Sequence, residues 1–341
     1  MIVREAVPFS ELTTFQVGGE AHLLVECETH EDVPLAVAYA REHNLPFVML
    51  GQGSNVLPPD EGYLGVVIRV SSKARAYRTV GDTVVVTADA GVSWDELVSE
   101  VASRDLWGIE NLAGIPGTVG AAPIQNIGAY GTELQSVFVS LVAYDAHTDT
   151  ERVITKREAG FGYRDSRFKH EPELIITEVT FALSKNGEPQ IGYSDLRDAQ
   201  TRGVDLSTPS AIGRAVREIR STKFPDLKTH GTAGSFFKNP IVSPEQFSTL
   251  STRYGAIPSY PVLDGVKIPL AFILDRILNL RGYRKGTVSL FGNQPLVLVA
   301  DRGATTRDVD AFAKEIEEKV FTATGISIER EVRMLTARAS K

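Results

Sequence analysis

The chain has 341 residues, of which 43% are hydrophobic and 23% charged, so its composition is that of an ordinary globular protein with two or three domains. A formal net charge of −7 and a pI near 5.5 argue against a general nucleic-acid binder, which needs a positive surface. One cysteine (Cys27), six scattered histidines and no long apolar segment predict a cytoplasmic protein with no disulfide, metal or membrane partner.

Residues 22–57 have the pattern of a strand–helix–strand unit. Apolar residues at Val33, Ala36, Val37 and Ala40 follow a helical period, and Pro34 is tolerated only in a first turn, so the helix begins near residue 32. The flanking segments 22–28 and 45–50 are strand candidates, the second one buried. It leads directly into the sequence GQGSNVL (51–57).

The middle of the chain alternates strands with helix starts. Ser93 and Glu96 have the spacing of a capping box at the start of one helix, and Pro209 predicts the first position of another helix ending near 223. Strands are predicted at 83–91, 138–146 and 173–183. A third section begins near 223, with helices from 243, over 269–280 and over 306–324, the last closed by Gly325, and strands at 294–301 and 326–335.

Two glycine-rich segments are candidate ligand loops. Gly51, Gly53, Ser54 and Asn55 follow a predicted strand, where small residues let backbone N–H groups approach an anion such as a pyrophosphate. The segment matches neither a Walker A motif nor GxGxxG, and a tight turn between strands would use the same residues.

The longer segment, 108–131, contains six glycines with Pro116 and Pro123 between them. Each glycine costs about 0.5–1 kcal/mol relative to alanine in regular structure, so a use is expected. We predict a backbone wrapped around a large flat or phosphorylated ligand, with Gln125 and Asn126 as amide partners. The alternative is a compact surface loop.

Polar residues in three later segments are candidates for chemistry. Segment 161–170 interleaves Tyr163 and Arg164 with other basic residues, a combination suited to a carboxylate or diphosphate, although a solvated strand edge has the same pattern. Glu331 lies in a strand with apolar neighbours and is either paired structurally or placed for catalysis. Ser235, in GTAGSFFKNP (231–240), is either a turn serine or a reactive hydroxyl, with Phe236 and Phe237 expected to exclude water from it.

Six segments, five of them described above, also resemble, in the same order, those of the UDP-N-acetylenolpyruvoylglucosamine reductase family. They are TTFQVGG (13–19), GQGSNVL (51–57), GIPGTVGAAPIQNIGAYG (114–131), FGYRDSRFK (161–169), AGSFFKNP (233–240) and EREVR (329–333). The resemblance runs from about residue 12 to 335. It is highly specific because six ordered motifs match.

The resemblance implies an α+β protein with the FAD-binding fold of the vanillyl-alcohol-oxidase (PCMH) type. Two α/β lobes are expected at 1–72, joined by a C-terminal strand at 326–341, and at 73–222. A third α+β substrate-binding domain is expected at 223–325. The segment QIGYSDL (190–196) resembles the loop of the family's long form, which carries a substrate-gripping tyrosine, here Tyr193.

Site residues are carried over where the motifs match. The catalytic residues implied are Arg164, Ser235 and Glu331. The substrate-binding residues are Tyr163, Tyr193, Lys223 and Asn239. The FAD-binding residues are Gly51, Gly53, Ser54, Asn55, Val56, Gly117, Thr118, Gly120, Ala121, Gln125, Asn126, Gly128 and Ala129. Phe291 stands where the family often has a histidine, so segment 289–294 receives no role.

The function implied is the NADPH-dependent reduction of UDP-N-acetylglucosamine enolpyruvate to UDP-N-acetylmuramate, in the synthesis of peptidoglycan precursors. Hydride would come from N5 of non-covalent FAD and a proton from Ser235, while Arg164 and Glu331 bracket the substrate carboxylate. NADPH and substrate would use one pocket in turn, in a monomeric protein.

Three alternatives remain open at this point. A flavin-dependent alcohol or lactone oxidase of the same fold would leave Tyr193 and the Ser235 motif without a role. A non-catalytic sugar-nucleotide binding protein would have no need of the catalytic residues. A serine hydrolase would need a GxSxG elbow, which Ser235 lacks.

Overall fold

A computed structural model describes residues 1–336, and its first region is built on a four-stranded sheet. The elements are β1 (Ile2–Pro8), α1 (Phe9–Leu12), β2 (Glu20–Cys27), α2 (Asp32–Glu42), β3 (Phe47–Met49), β4 (Val56–Leu57) and β5 (Tyr63–Val70). The strand order is β1-β2-β5-β3, with β1 antiparallel to β2 and the other pairs parallel. The predicted strand–helix–strand unit is present, but the later strand β5 lies between its two strands.

The second region contains a five-stranded antiparallel sheet. Its elements are β6 (Arg75–Val80), β7 (Thr83–Asp89), α3 (Trp94–Ser103), β8 (Gly128–Ala129), β9 (Thr132–Glu133), β10 (Phe138–Asp145), β11 (Thr150–Thr155), α4 (Lys156–Ala159), α5 (Arg167–His170), β12 (Leu174–Ser184), α6 (Ser194–Thr201) and α7 (Pro209–Lys223). The sheet order is β11-β10-β12-β7-β6. Apolar faces of α2, α3 and α7 join one hydrophobic core with both sheets, so the first two regions are packed together.

The third region has a separate core. Its elements are β13 (Ile241–Val242), α8 (Pro244–Tyr254), β14 (Tyr260–Val262), β15 (Gly265–Lys267), α9 (Leu270–Phe272), β16 (Arg284–Lys285), β17 (Val288–Phe291), β18 (Gln294–Ala300), α10 (Thr306–Thr324) and β19 (Arg333–Met334). Two three-stranded sheets, β13-β15-β14 and β16-β17-β18, are present. The core also takes in Phe15 and Leu57 of the first region.

Helix ends with side-chain caps are where the sequence predicts them. Thr208 and Ser243 each accept a hydrogen bond from the N–H three residues on, at the starts of α7 and α8. Gly325 closes α10 with a left-handed φ of +68°. Such helix ends depend on hydrogen bonds between residues a few positions apart, so the local sequence is enough to predict them.

Four predictions about local structure hold only in part. Ser93 is the N-cap of α3 but its side chain makes no capping bond, and Glu96 instead pairs with Arg75. The helix expected over 269–280 is α-helical only in α9 and then π-helical over Ile273–Ile277. Within the strand expected over 326–335, only β19 pairs with another strand. The strand β3 is half-buried, because one side of it faces a cavity.

The end of the described chain returns to the first region. β19 pairs in parallel with β4, opposing Arg333 with Val56 and Met334 with Leu57. Asp60 of the first region also accepts hydrogen bonds from the N–H groups of Thr306 and Arg307, at the start of α10. Residues 337–341 of the strand expected over 326–341 lie outside the described residues.

Candidate functional site

A cavity of about 1340 Å³ lies where the three regions meet. It exceeds the range of about 300–1,000 Å³ usual for small-ligand sites. Its wall is formed by β3, the glycine segments at 51–56 and 114–128, the end of α7, residues 232–235 and residues 331–336. The lining includes the apolar residues of β3 and several basic residues, among them Arg164, Arg217 and Arg220.

The segment 51–55 presents backbone donors to this cavity. The N–H groups of Gln52, Gly53, Ser54 and Asn55 donate to no acceptor in the described part of the protein. Gly53 has φ +63°, and a β-carbon there would lie 2.7 Å from the Cα of Thr13. Successive free N–H groups around a left-handed residue form a concave site for an anion.

The two glycine segments are hydrogen-bonded to each other. The N–H of Gly117 donates to Oε1 of Gln52 (3.0 Å), and the hydroxyl of Ser54 donates to the carbonyl of Pro116 (3.0 Å). Gly120 has a different use, since a β-carbon there would lie 2.5 Å from Cβ of Ala90. The expectation that the glycines all serve close approach to a ligand is therefore too simple, because some serve packing.

Three charged residues that the sequence analysis missed hold the backbone at Gly114, Asp95 and Arg220 directly and Arg217 through Asp95. Oδ1 of Asp95 accepts from the N–H of Gly114 (2.6 Å) and from Nη2 of Arg217 (2.8 Å). Nε of Arg220 donates to the carbonyl of Gly114 (3.0 Å), and its guanidinium lies over the ring of Phe224. Arg217 and Arg220 lie one turn apart on α7, a spacing visible in the sequence, but nothing local shows that they face this loop.

Ser235 is positioned by hydrogen bonds on both sides of its segment. On one side the N–H of Phe236 donates to the carbonyl of Leu296 in β18 (2.8 Å). On the other the carbonyl of Phe236 accepts from the N–H of Glu331 (2.8 Å). Ser235 lines the cavity, its hydroxyl bonds no described residue, and the preceding Gly234 has φ +76°.

The rings of Phe236 and Phe237 are each 1% exposed and belong to the core of the third region. They make an edge contact with each other at 5.1 Å between centroids, and neither lines the cavity. The expectation that they shield Ser235 from water directly is therefore corrected. They anchor the segment instead, because both faces of the strand-like chain are covered.

Arg164 and Glu331 meet at the same wall. Nε of Arg164 lies 3.4 Å from Oε1 of Glu331, and their side chains keep 19% and 14% exposure. Nη2 of Arg164 also donates to the carbonyl of Gly128, and Arg164 itself has φ +52°. A non-glycine residue held in this region is strained, which is common at functional sites.

Burial raises the pKa of Glu331, while Arg164, Lys169 and Lys238 act to lower it. Burial likewise lowers the pKa of Lys169, with Lys238 the next cause. Several positive charges around one buried carboxyl favour binding of an anionic group here, and a protonated Glu331 would donate a hydrogen bond to it.

The FAD-binding candidates divide into two sets. Those that line the cavity are Gly51, Gly53, Ser54, Asn55, Val56, Gly117, Thr118, Gly120, Ala121, Gln125 and Gly128. Asn126 and Ala129 do not. Asn126 is fully buried, and its amide bonds Glu133, the carbonyl of Gly162 and the N–H of Gln135. The expectation that the Asn126 amide binds a ligand is therefore corrected, because its polar atoms already have protein partners.

The substrate-binding candidates also lie off the cavity wall. Oδ1 of Asn239 accepts from the N–H of Leu270 (2.9 Å), and Lys267 lies over the ring of Tyr163. The Tyr193 side chain is 40% exposed, and Nζ of Lys223 lies 2.5 Å from Oδ2 of Asp195. The catalytic candidates and eleven of the thirteen cofactor candidates thus converge on the cavity, whereas these four residues do not line it.

The cavity suits a dinucleotide with a flat ring system. Four successive free N–H groups at 52–55 match a pyrophosphate, and the half-buried strand β3 supplies an apolar wall. Nδ2 of Asn55 donates to Oε1 of Gln125 (2.6 Å), so the Gln125 amide nitrogen remains available to a ring carbonyl. The residues present therefore fit FAD.

Among residues 1–336, none of the helices combines the length and the apolar character needed to span a bilayer. In the same residues no group of three or more His, Cys, Asp and Glu side chains is arranged to hold a metal ion.

Comparisons with known proteins give matches to two family models. The family model described as FAD binding domain matches residues 21–155, and that of the UDP-N-acetylenolpyruvoylglucosamine reductase C-terminal domain matches residues 226–335. The fold and site thus define an FAD-binding α+β protein of the PCMH type.

Two relatives and one solved structure are similar along nearly the whole chain. The UDP-N-acetylenolpyruvoylglucosamine reductase of Chromobacterium violaceum is 38% identical over 96% of this chain and 97% of its own. That of Pseudomonas aeruginosa is 38% identical over 96% and 98%. The crystal structure of the reductase from Thermus caldophilus has a TM-score of 0.70 at 25% identity, covering 98% of this chain and 100% of its own. The chain belongs to the UDP-N-acetylenolpyruvoylglucosamine reductase family.

Proposed function

We propose that this protein reduces the enolpyruvyl ether of a UDP-N-acetylglucosamine derivative to the lactyl ether, with NADPH as the reductant. The observation that carries the proposal is the convergence of Ser235, Arg164 and Glu331 on one cavity with the free N–H groups of residues 52–55. Family membership supports the same reaction.

FAD, held by the two glycine segments, supplies a hydride to the substrate when bound. Pyrophosphate would lie against the N–H groups of 52–55, and Gln125 would meet the ring edge. Asp95, Arg217 and Arg220 fix the backbone of the second segment by the bonds described above.

Arg164 and Glu331 bind the carboxylate conjugated to the reacting double bond. The guanidinium gives a fixed positive charge, and burial raises the pKa of Glu331, which favours the protonated form that donates a hydrogen bond. Negative charge that develops on the carboxylate is stabilised where donors are already in place.

Ser235 donates the proton to the carbon next to the carboxylate. Ser235 lines the cavity, its hydroxyl has no described protein partner, and the adjacent backbone is held from both sides, so the hydroxyl is available as the donor. A serine is a weak acid, but a carbanion stabilised by a carboxylate is basic enough to accept its proton at fixed distance. Delivery from one side sets the configuration of the lactyl carbon.

Tyr193, Lys223 and Asn239 are assigned to the nucleotide diphosphate, and segment 190–196 to the tyrosine loop of the long form. Their position around the cavity, rather than on its wall, suits the non-reacting part of a large substrate. Binding energy from that part aligns the reacting carbons.

Stopped-flow kinetics of Ser235→Ala tests the proposal. Reduction of the bound flavin by NADPH should persist, whereas oxidation by the enolpyruvyl substrate should fall about 100- to 10,000-fold, the usual contribution of a positioned proton donor. Ser103→Ala is the matched control, because that hydroxyl is bonded to the carbonyl of Glu100 (2.7 Å) and the residue does not line the cavity. Equal loss in both half-reactions would refute the role of Ser235.

A further inference from the structure

The segment that carries Tyr193 is attached to the glycine segment at its upstream end. Nδ2 of the buried Asn111 donates both to the carbonyl of Tyr130 (2.9 Å) and to the carbonyl of Gln190 (2.7 Å). The rings of Tyr130 and Tyr193 make an edge contact at 5.2 Å between centroids. Residue 190 is therefore fixed relative to the cofactor loop, and the chain beyond it starts α6.

The downstream end is held by an ion pair in addition to core packing, since Leu196 of α6 is fully buried. Oδ2 of Asp195, in the first turn of α6, lies 2.5 Å from Nζ of Lys223, and the side chains keep 24% and 27% exposure. Asp195 is the one partner of the Lys223 ammonium in the described residues. The contact joins α6 to the last residue of α7 and is within reach of solvent.

Lys223 belongs to a stripe of basic residues along α7. Arg217, Arg220 and Lys223 are spaced by three residues, which places them on one face of a helix. Arg217 and Arg220 line the cavity, and Lys223 continues the same stripe by one turn. Each of the three has a protein partner: Asp95, the Gly114 carbonyl and Asp195, respectively.

These partners are not equivalent. Asp95 is itself bonded to the Gly114 N–H, and the Gly114 carbonyl is part of the loop, so both contacts build the cavity wall. Asp195 is bonded through its side chain to Lys223 alone, among the described residues. The pair is thus a contact that can open without dismantling the wall.

We propose that Asp195 binds the Lys223 ammonium when no ligand is bound. The diphosphate of the sugar nucleotide must displace Asp195 from Lys223 when that ligand binds. The proposal rests on the proposed function, which assigns Lys223 to the diphosphate. A diphosphate carries more negative charge than a carboxylate and more acceptor oxygens, so it competes for one ammonium effectively. Asp195 is then an affinity-setting residue that competes with the diphosphate for Lys223.

Removing the carboxylate should strengthen binding of a nucleoside diphosphate. Part-exposed ion pairs contribute a small free energy, so the gain in Asp195→Asn is expected to be about twofold to fivefold in the dissociation constant for UDP. Isothermal titration of the FAD-loaded protein with UDP measures it. Asp198→Asn is the matched control, since it removes the same charge from an exposed position on the same helix. Its affinity should stay near that of the wild type.

The double variant Asp195→Asn/Lys223→Met separates exchange from a general charge effect. If Asp195 acts by competing for Lys223, its replacement gives no gain once the lysine is absent. A gain of equal size in both backgrounds would overturn the exchange, and so would Asp195→Asn binding no tighter than Asp198→Asn. Failure of the folded, yellow wild-type protein to bind UDP would remove the proposed function as well, whereas the other two results leave it intact.

Discussion

Replacement of Asp95 by alanine should weaken FAD binding, because this carboxylate fixes the cofactor loop. It accepts from the Gly114 N–H at 2.6 Å and from Nε and Nη2 of Arg217 at 3.0 and 2.8 Å. Hydrogen bonds to a charged group contribute about 1.5–3 kcal/mol when they are buried. Here the side chains of Asp95 and Arg217 are 38% and 32% exposed, so water replaces part of the loss.

The expected loss is therefore about 1–2 kcal/mol, in line with a part-exposed pair. If this loss falls on the loop conformation that binds FAD, the dissociation constant for FAD rises about tenfold, since 1.4 kcal/mol corresponds to a factor of ten. Asp95→Asn should lose less, because its amide oxygen can still accept from the Gly114 N–H.

Fluorescence titration of the apoprotein with FAD measures the dissociation constant, and urea unfolding of the apoprotein measures the global effect. Glu96→Ala is the matched control. The neighbouring Glu96 makes a 3.3 Å ion pair with Arg75 but is 65% exposed, so its removal should change either quantity little. An Asp95→Ala protein that is less stable yet binds FAD like Glu96→Ala would refute the reasoning.

Three further predictions concern stability. Burial raises the pKa of Glu331, so its stabilising contribution is full below the unfolded pKa of about 4.3 and is lost as pH rises through the folded value. The unfolding free energy of the wild type minus that of Glu331→Gln should fall from pH 4 to 8 in urea titrations; a constant difference contradicts this. Gly53→Ala should cost at least about 1–3 kcal/mol in the same assay, because φ is +63° and Thr13 is too close; a neutral change argues against the strain. Asp60→Ala should cost about 0.5–2 kcal/mol by removing the acceptor at the start of α10, and unchanged thermal unfolding would count against that cap.

The candidate catalytic residues illustrate what long-range pairing contributes. Arg164, Ser235 and Glu331 are separated by many residues, and the sequence related them only through a family resemblance. In the structure Glu331 reaches the cavity because the chain after it pairs with β4 and its own N–H bonds the carbonyl next to Ser235. No local pattern encodes either contact.

The second glycine segment also has features that its sequence does not reveal. The sequence correctly identified it as unusual, but the roles of its residues differ. Gly120 packs on Ala90, and the buried Asn126 side chain donates hydrogen bonds to Glu133 and to the carbonyl of Gly162. The residues that hold its backbone, Asp95 and Arg220, lie on helices with ordinary amphipathic patterns, so nothing in those patterns distinguishes them from surface charges.

The sequence alone determined the features that depend on neighbours along the chain. The caps of α7 and α8, the end of α10 and the period of α2 are examples, because a hydrogen bond or a buried face within a few residues fixes each. The tertiary structure decided which polar side chains meet at the cavity, why both Phe236 and Phe237 are buried, and why β3 is only half covered. These properties depend on segments that are distant in the chain, and only the packing of the three regions brings them into contact.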